Sequence, residues 1–152
     1  MSTKLGGRHR LFKMQGNQDG RTGRSPAFNA NRQWIPSIKA IVGNIGVFGN
    51  MHVWTADTQT PALRAAWVAQ LDEMAALQPA LVVPSHMSAG TALDASTIRF
   101  TKDYLQTFEK NLAANKTSAM LIGAMKQSYP QLTDGAMSLD IGAKVNTGEM
   151  KW

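Results

Sequence analysis

Apolar positions change their spacing along the chain, and the changes mark its elements. Ile38 to Val42 is a short β-branched run, Gly43-Asn44-Ile45-Gly46 is turn chemistry, and Val47-Phe48 begins a second short strand. Gly49-Asn50 is another turn signal, and Met51 to Trp54 reads as strand or loop. Thr60-Pro61 then opens a helix, with a hydroxyl to cap it and a proline at its first position. Leu63, Trp67, Leu71 and Met74 form one apolar stripe, off which Arg64, Gln70 and Glu73 lie. Pro79 stops this helix. Leu81-Val82-Val83 is a continuous apolar run of the kind buried in a sheet, expected to end at Pro84.

Ser85 to Leu93 reads as a loop. A long helix is expected from about Asp94 to Ala114, with Ile98, Thr101, Leu105, Phe108 and Leu112 at alternating spacings of three and four. Thr117 caps a further helix that turns Leu121, Met125 and Tyr129 inward and ends at Pro130. Asp134-Gly135 is a turn, and Met137, Ile141 and Val145 predict a last short helix closing near Gly148. A helix between strands implies an α/β layer with few short strands and several helices. There is no internal repeat and no sustained heptad.

Residues 1–32 follow neither apolar period and are rich in Gly, Asn, Gln, Ser and Arg. They hold seven bases against the single acid Asp19, which accounts for the whole net charge of +6. The nine bases and nine acids of residues 33–152 cancel. The charge therefore belongs to an arm, expected to be disordered or non-native, and a neutral body argues against a nucleic-acid partner. Of the 152 residues 43% are apolar, enough for a packed core. No cysteine is present, which excludes disulfides and thiolate zinc sites. No apolar run spans a bilayer and no secretory h-region is evident, so no membrane partner is expected.

Three residues carry candidate chemistry. His86 follows an apolar strand and a proline, at the strand end where α/β folds place ligands, and neutral imidazole is a natural zinc ligand. The alternative is a histidine bonded to nearby backbone. His52 and Asp57 lie five apart in HVWTAD, and imidazole with carboxylate can hold a cation or work as acid and base. Alternatively, Asp57 caps a turn before Thr58 and His52 is a satisfied loop residue. A Ser85-centred hydrolytic triad ranks low because the G-x-S-x-G elbow is missing. There is no Walker A motif, no G-x-G-x-x-G, and no basic residues interleaved with the four tryptophans.

VFGNMHVWTADTQTP, LVVPSHM, ALDASTIRFTKDYLQTFEKN and the closing GEMKW together resemble the C-terminal half of a metallo-β-lactamase-fold hydrolase, in unbroken order over roughly residues 33–152. The nearest resemblance is to a bacterial branch in which HxWxADTQTP precedes a last ligand in a Pro-Gly-His turn. The resemblance implies the C-terminal portion of an αβ/βα sandwich, a site for one or two zinc ions, and hydrolysis of an ester, lactone, amide or similar bond in a small-molecule substrate by metal-activated water. His86 matches the last histidine ligand, with Ser85 in place of glycine. The metal-bridging aspartate of the family falls on Ile45, which has no ligating atom, so Asp57 or His52 would have to substitute or else line the pocket. The H-x-H-x-D-H motif of the N-terminal half has no counterpart, and His9 stands alone. The expectation is thus a fragment or truncated product, inactive alone, that associates with itself or with a missing N-terminal half. The competing expectations are a non-catalytic α/β module that binds a partner, and a nucleic-acid contact made by the basic arm.

Overall fold

A computed structural model describes residues 33–152. The expected basic arm, residues 1–32, lies outside the described residues. Among the described residues the architecture is α/β: a three-stranded mixed sheet and four α-helices. Strand β1 (Gln33–Ile35) leads through a 3-10 turn at Pro36–Ile38 into β2 (Ala40–Gly49), which it pairs antiparallel. Helix α1 (Pro61–Ala76) crosses over to β3 (Leu81–Met87), which pairs parallel with β2. A parallel pair needs such a crossover, because a tight turn cannot return the chain to the same end of the sheet. Helices α2 (Ser96–Ala114), α3 (Ser118–Ser128) and α4 (Ala136–Asn146) follow. Both α1 and α2 pack on β2, α3 packs on α2, and α4 on α3.

The expected helix starts are found. Thr60 accepts a hydrogen bond from the Leu63 N–H at 3.2 Å, with Pro61 at the first helical position. Thr117 accepts from Met120 N–H at 3.3 Å. Asp94 accepts from Ser96 N–H at 2.8 Å just before α2. Each bond satisfies a donor that the first helical turn leaves unpaired. The core is built by Ile41 and Val82 from the sheet, Trp67 and Leu71 from α1, and Leu105 and Phe108 from α2.

Two expectations about the strands are corrected. The glycine-rich stretch at 43–46 does not turn the chain; β2 runs through it as one strand of 10 residues. Gly43, at φ 68°, and two register irregularities absorb the excess length as bulges. The carbonyl of Gly46 then accepts the indole N–H of Trp67 at 2.8 Å, pinning the crossover helix to the strand. Likewise β3 continues past Pro84 to Met87. It is an edge strand, where a missing N–H is tolerated. In α4 the buried residues are Leu139, Gly142, Ala143 and Val145, whereas Met137 is 71% exposed, so the buried face is rotated from the expected one.

Arg64, placed off the apolar stripe by its spacing, is 3% exposed. Its Nε donates to Glu109 of α2, and its Nη1 donates to the Thr58 carbonyl and to Asn146 Oδ1 of α4, each at 2.6 Å. Asn146 in turn donates to the Thr55 carbonyl at 3.0 Å. One guanidinium thus joins α1, α2, α4 and the segment 55–58. Arg64→Met keeps the apolar stem but leaves these acceptors unpaired. It is expected to lower stability in urea unfolding by roughly 1–3 kcal/mol; a loss under about 0.5 kcal/mol would class the network with ordinary surface contacts.

Candidate functional site

The three candidate ligands sit on the segment that leaves β2 and at the end of β3. His86 follows from the parallel pairing: β2 and β3 end at the same side of the sheet, with Phe48 in register with His86. The exposed imidazole stacks on the Phe48 ring, with centroids 5.0 Å apart and planes at 17°. Phe48 is itself fixed by α2, because its N–H donates to the Thr101 hydroxyl at 2.9 Å. This bond explains why a threonine interrupts the apolar stripe of α2. Among the described residues His86 makes no side-chain hydrogen bond.

His52 follows the end of β2 by three residues and is 2% exposed. Its Nδ1 is 3.0 Å from the Tyr104 hydroxyl of α2, and the two rings meet edge to face. Its backbone N–H donates to the Asp134 carbonyl at 3.0 Å. Gly135, next in the chain, adopts φ 78°, and a Cβ there would come within 2.6 Å of the His52 carbonyl oxygen. Only glycine suits both the left-handed backbone and the close approach. Burial, aided by the charge of Lys126, holds the imidazole pKa below its ordinary 6.5. Burial also pushes the Tyr104 hydroxyl well up, so it remains protonated as a partner.

Asp57 is exposed, but both of its oxygens are engaged. Oδ2 accepts the indole N–H of Trp54 at 3.0 Å, and Oδ1 accepts that of Trp152 at 2.7 Å. The two indoles touch edge to face, 5.0 Å between centroids. Trp54 is the tryptophan of the HxWxADTQTP pattern, but the four tryptophans appear scattered in the sequence and their pairing on Asp57 is not evident there. For Trp152 the sequence signal was the closing GEMKW, which ends in it.

The structure therefore does not gather His52, Asp57 and His86 into one cluster. Among the described residues there is no group of three or more His, Cys, Asp or Glu side chains that could hold a metal ion. Zinc requires at least three converging protein donors, so the described donor set does not fit it unaided. Ile45 lies within β2. A groove of about 630 Å³ opens between α1 and α2, lined by Pro61, Arg64, Ala65, Val68, Leu105 and Glu109 among others. None of the three candidates lines it. No helix among the described residues is long and apolar enough to cross a membrane. The sequence matches no protein-family model and no curated protein.

The burial of His52 has a pH consequence. Its folded pKa lies below the unfolded value of 6.5, so the unfolded chain binds the extra proton. The stabilisation is complete above that value and is lost as pH falls through it towards the folded pKa. His52→Gln, which does not titrate, is expected to flatten the decline in stability between about pH 7 and pH 5. Parallel declines in the variant and the wild type would show that other groups dominate.

Proposed function

We propose that residues 33–152 are the C-terminal αβ half of a metallo-β-lactamase-type hydrolase, a scaffold half that does not catalyse alone. The observation that carries this reading is the unequal state of the three candidates. His86 stands exposed at the carboxyl end of a parallel strand pair, braced by Phe48 and with no hydrogen-bond partner among the described residues. His52 and Asp57 are instead occupied by Tyr104 and by two indoles. The half thus offers one ligand to a site whose other ligands come from outside residues 33–152. The order of the matching segments, from VFGNMHVWTADTQTP to GEMKW, supports the same assignment.

On this reading zinc is a cofactor of the completed hydrolase, the substrate is a small molecule with a hydrolysable carbonyl, and the partner is the complementary half. The residues described here contribute position rather than chemistry: Thr101 holds Phe48, and Phe48 holds the plane of His86. Elemental analysis of the purified chain is expected to find no stoichiometric zinc in either wild type or His86→Ala. A full equivalent of zinc in the wild type, lost in the variant, would mean that these residues build the site unaided, and the half-site reading would fall.

A further inference from the structure

The groove between α1 and α2 lies apart from the three candidate ligands and has a build of its own. The two helices run antiparallel, as two ion pairs across them show: Arg64 with Glu109, and Asp72 with Lys102 at 2.6 Å. Residues three and four apart share a helix face. Arg64, Ala65 and Val68 therefore line the trough from α1, and Gln106, Glu109 and Lys110 line it from α2. The short side chains of Ala65 and Ala113 do not close it, and a space of about 630 Å³ is left between the helices. Sites for small molecules have this size, roughly 300–1,000 Å³, with apolar walls and a few polar groups.

The floor carries an unanswered charge. Leu105 and Arg64 are the buried members of the lining. A guanidinium has five N–H groups. Nε gives its one to Glu109, and Nη1 gives its two to the Thr58 carbonyl and to Asn146. Nη2 makes no hydrogen bond among the described residues. Yet the one fully buried side-chain polar atom without a partner among them is Thr55 Oγ1. Nη2 is therefore reached from outside, and the groove is where Arg64 meets the outside. Lys110, exposed on the rim, adds a second positive charge, and Glu109 supplies one negative charge. The lining keeps one positive charge unbalanced, next to apolar surface from Leu105 and Val68.

We infer that this groove binds a small monocarboxylate with an apolar tail, its carboxylate on Arg64 Nη2 and Lys110 and its hydrocarbon along Ala65, Val68 and Leu105. Charge-assisted bonds from guanidinium to carboxylate are the strong ones. A neutral ligand would leave the unbalanced charge unanswered. A dianion would exceed it and meet the Glu109 carboxylate. The inference is independent of the hydrolase reading.

Octanoate is the probe, titrated into the full chain carrying ¹³C-labelled methyl groups. The methyl signals of Val68 and Leu105 are expected to shift saturably, while those of Leu139, buried in α4, stay in place. Octan-1-ol has the same tail without the charge. It is expected to bind roughly tenfold more weakly, because hydrogen bonds to charged partners are the stronger ones. Ala65→Leu fills the trough from an exposed helical position that suits leucine, and is expected to abolish binding of both probes. Glu109→Gln keeps an acceptor for Arg64 Nε and removes the opposing charge. It is expected to bind octanoate several-fold more tightly and octan-1-ol equally well. Equal affinity of the wild type for octanoate and octan-1-ol would overturn the carboxylate assignment. Absence of a saturable shift, or shifts that persist in Ala65→Leu, would overturn the site.

Discussion

A buried guanidinium is costly unless all its neighbours answer it, and the placement of Arg64 constrains every element around it. Its partners come from α1's own capping region, from α2 and from α4. The acceptor at Thr58 and the Asn146 bridge to Thr55 hold the segment 55–58 from two directions. That segment carries Asp57. The position of the exposed carboxylate thus depends on a buried charge bonded to its neighbour Thr58, and the four elements cannot shift independently without leaving the guanidinium unpaired. The Trp67 bond to Gly46 plays the complementary part on the sheet side of α1.

The chemistry-bearing side chains divide by what surrounds them. His52 is drawn into an aromatic layer in which Tyr104 stacks on Tyr129, with ring centroids 5.0 Å apart. There a charged imidazole is disfavoured, and the ring acts as a polar tie between the β2 exit and α2. Asp57 holds two indoles at the surface. His86 alone of the three is without a hydrogen-bond partner among the described residues, and it is exposed. One framework thus uses two of the three candidates to hold its own loops and displays the third at the end of a strand.

What was legible in the sequence follows from range. Helix starts depend on residues a few positions apart, so Thr60-Pro61, Asp94 and Thr117 could be read directly. The stripe of α2 was likewise local, apart from the reason for Thr101, whose partner Phe48 lies 53 positions away. The bulged course of β2 was not legible, because glycines that bend a strand and glycines that turn a hairpin look alike without the partner strand. Arg64 was misread for a related cause: its partners Glu109 and Asn146 lie 45 and 82 positions along the chain. The face of α4 was misjudged because small residues, Gly142 and Ala143, do the packing where the wider spacing favoured Met137. A Cβ on Gly142 would come within 2.3 Å of Thr55 Oγ1, so closeness rather than bulk marks this contact. At the candidate site, the residue types were visible, but the tryptophan and tyrosine partners that occupy them were not.

The central claim is that His52 and His86 do not share a metal within residues 33–152. The side-chain ¹⁵N shifts of the two imidazoles test it most directly, recorded with and without one equivalent of zinc. His52 is expected to keep its shifts, held by Tyr104, whether or not those of His86 respond. Movement of both imidazoles together at one equivalent would show a shared ion and contradict the claim.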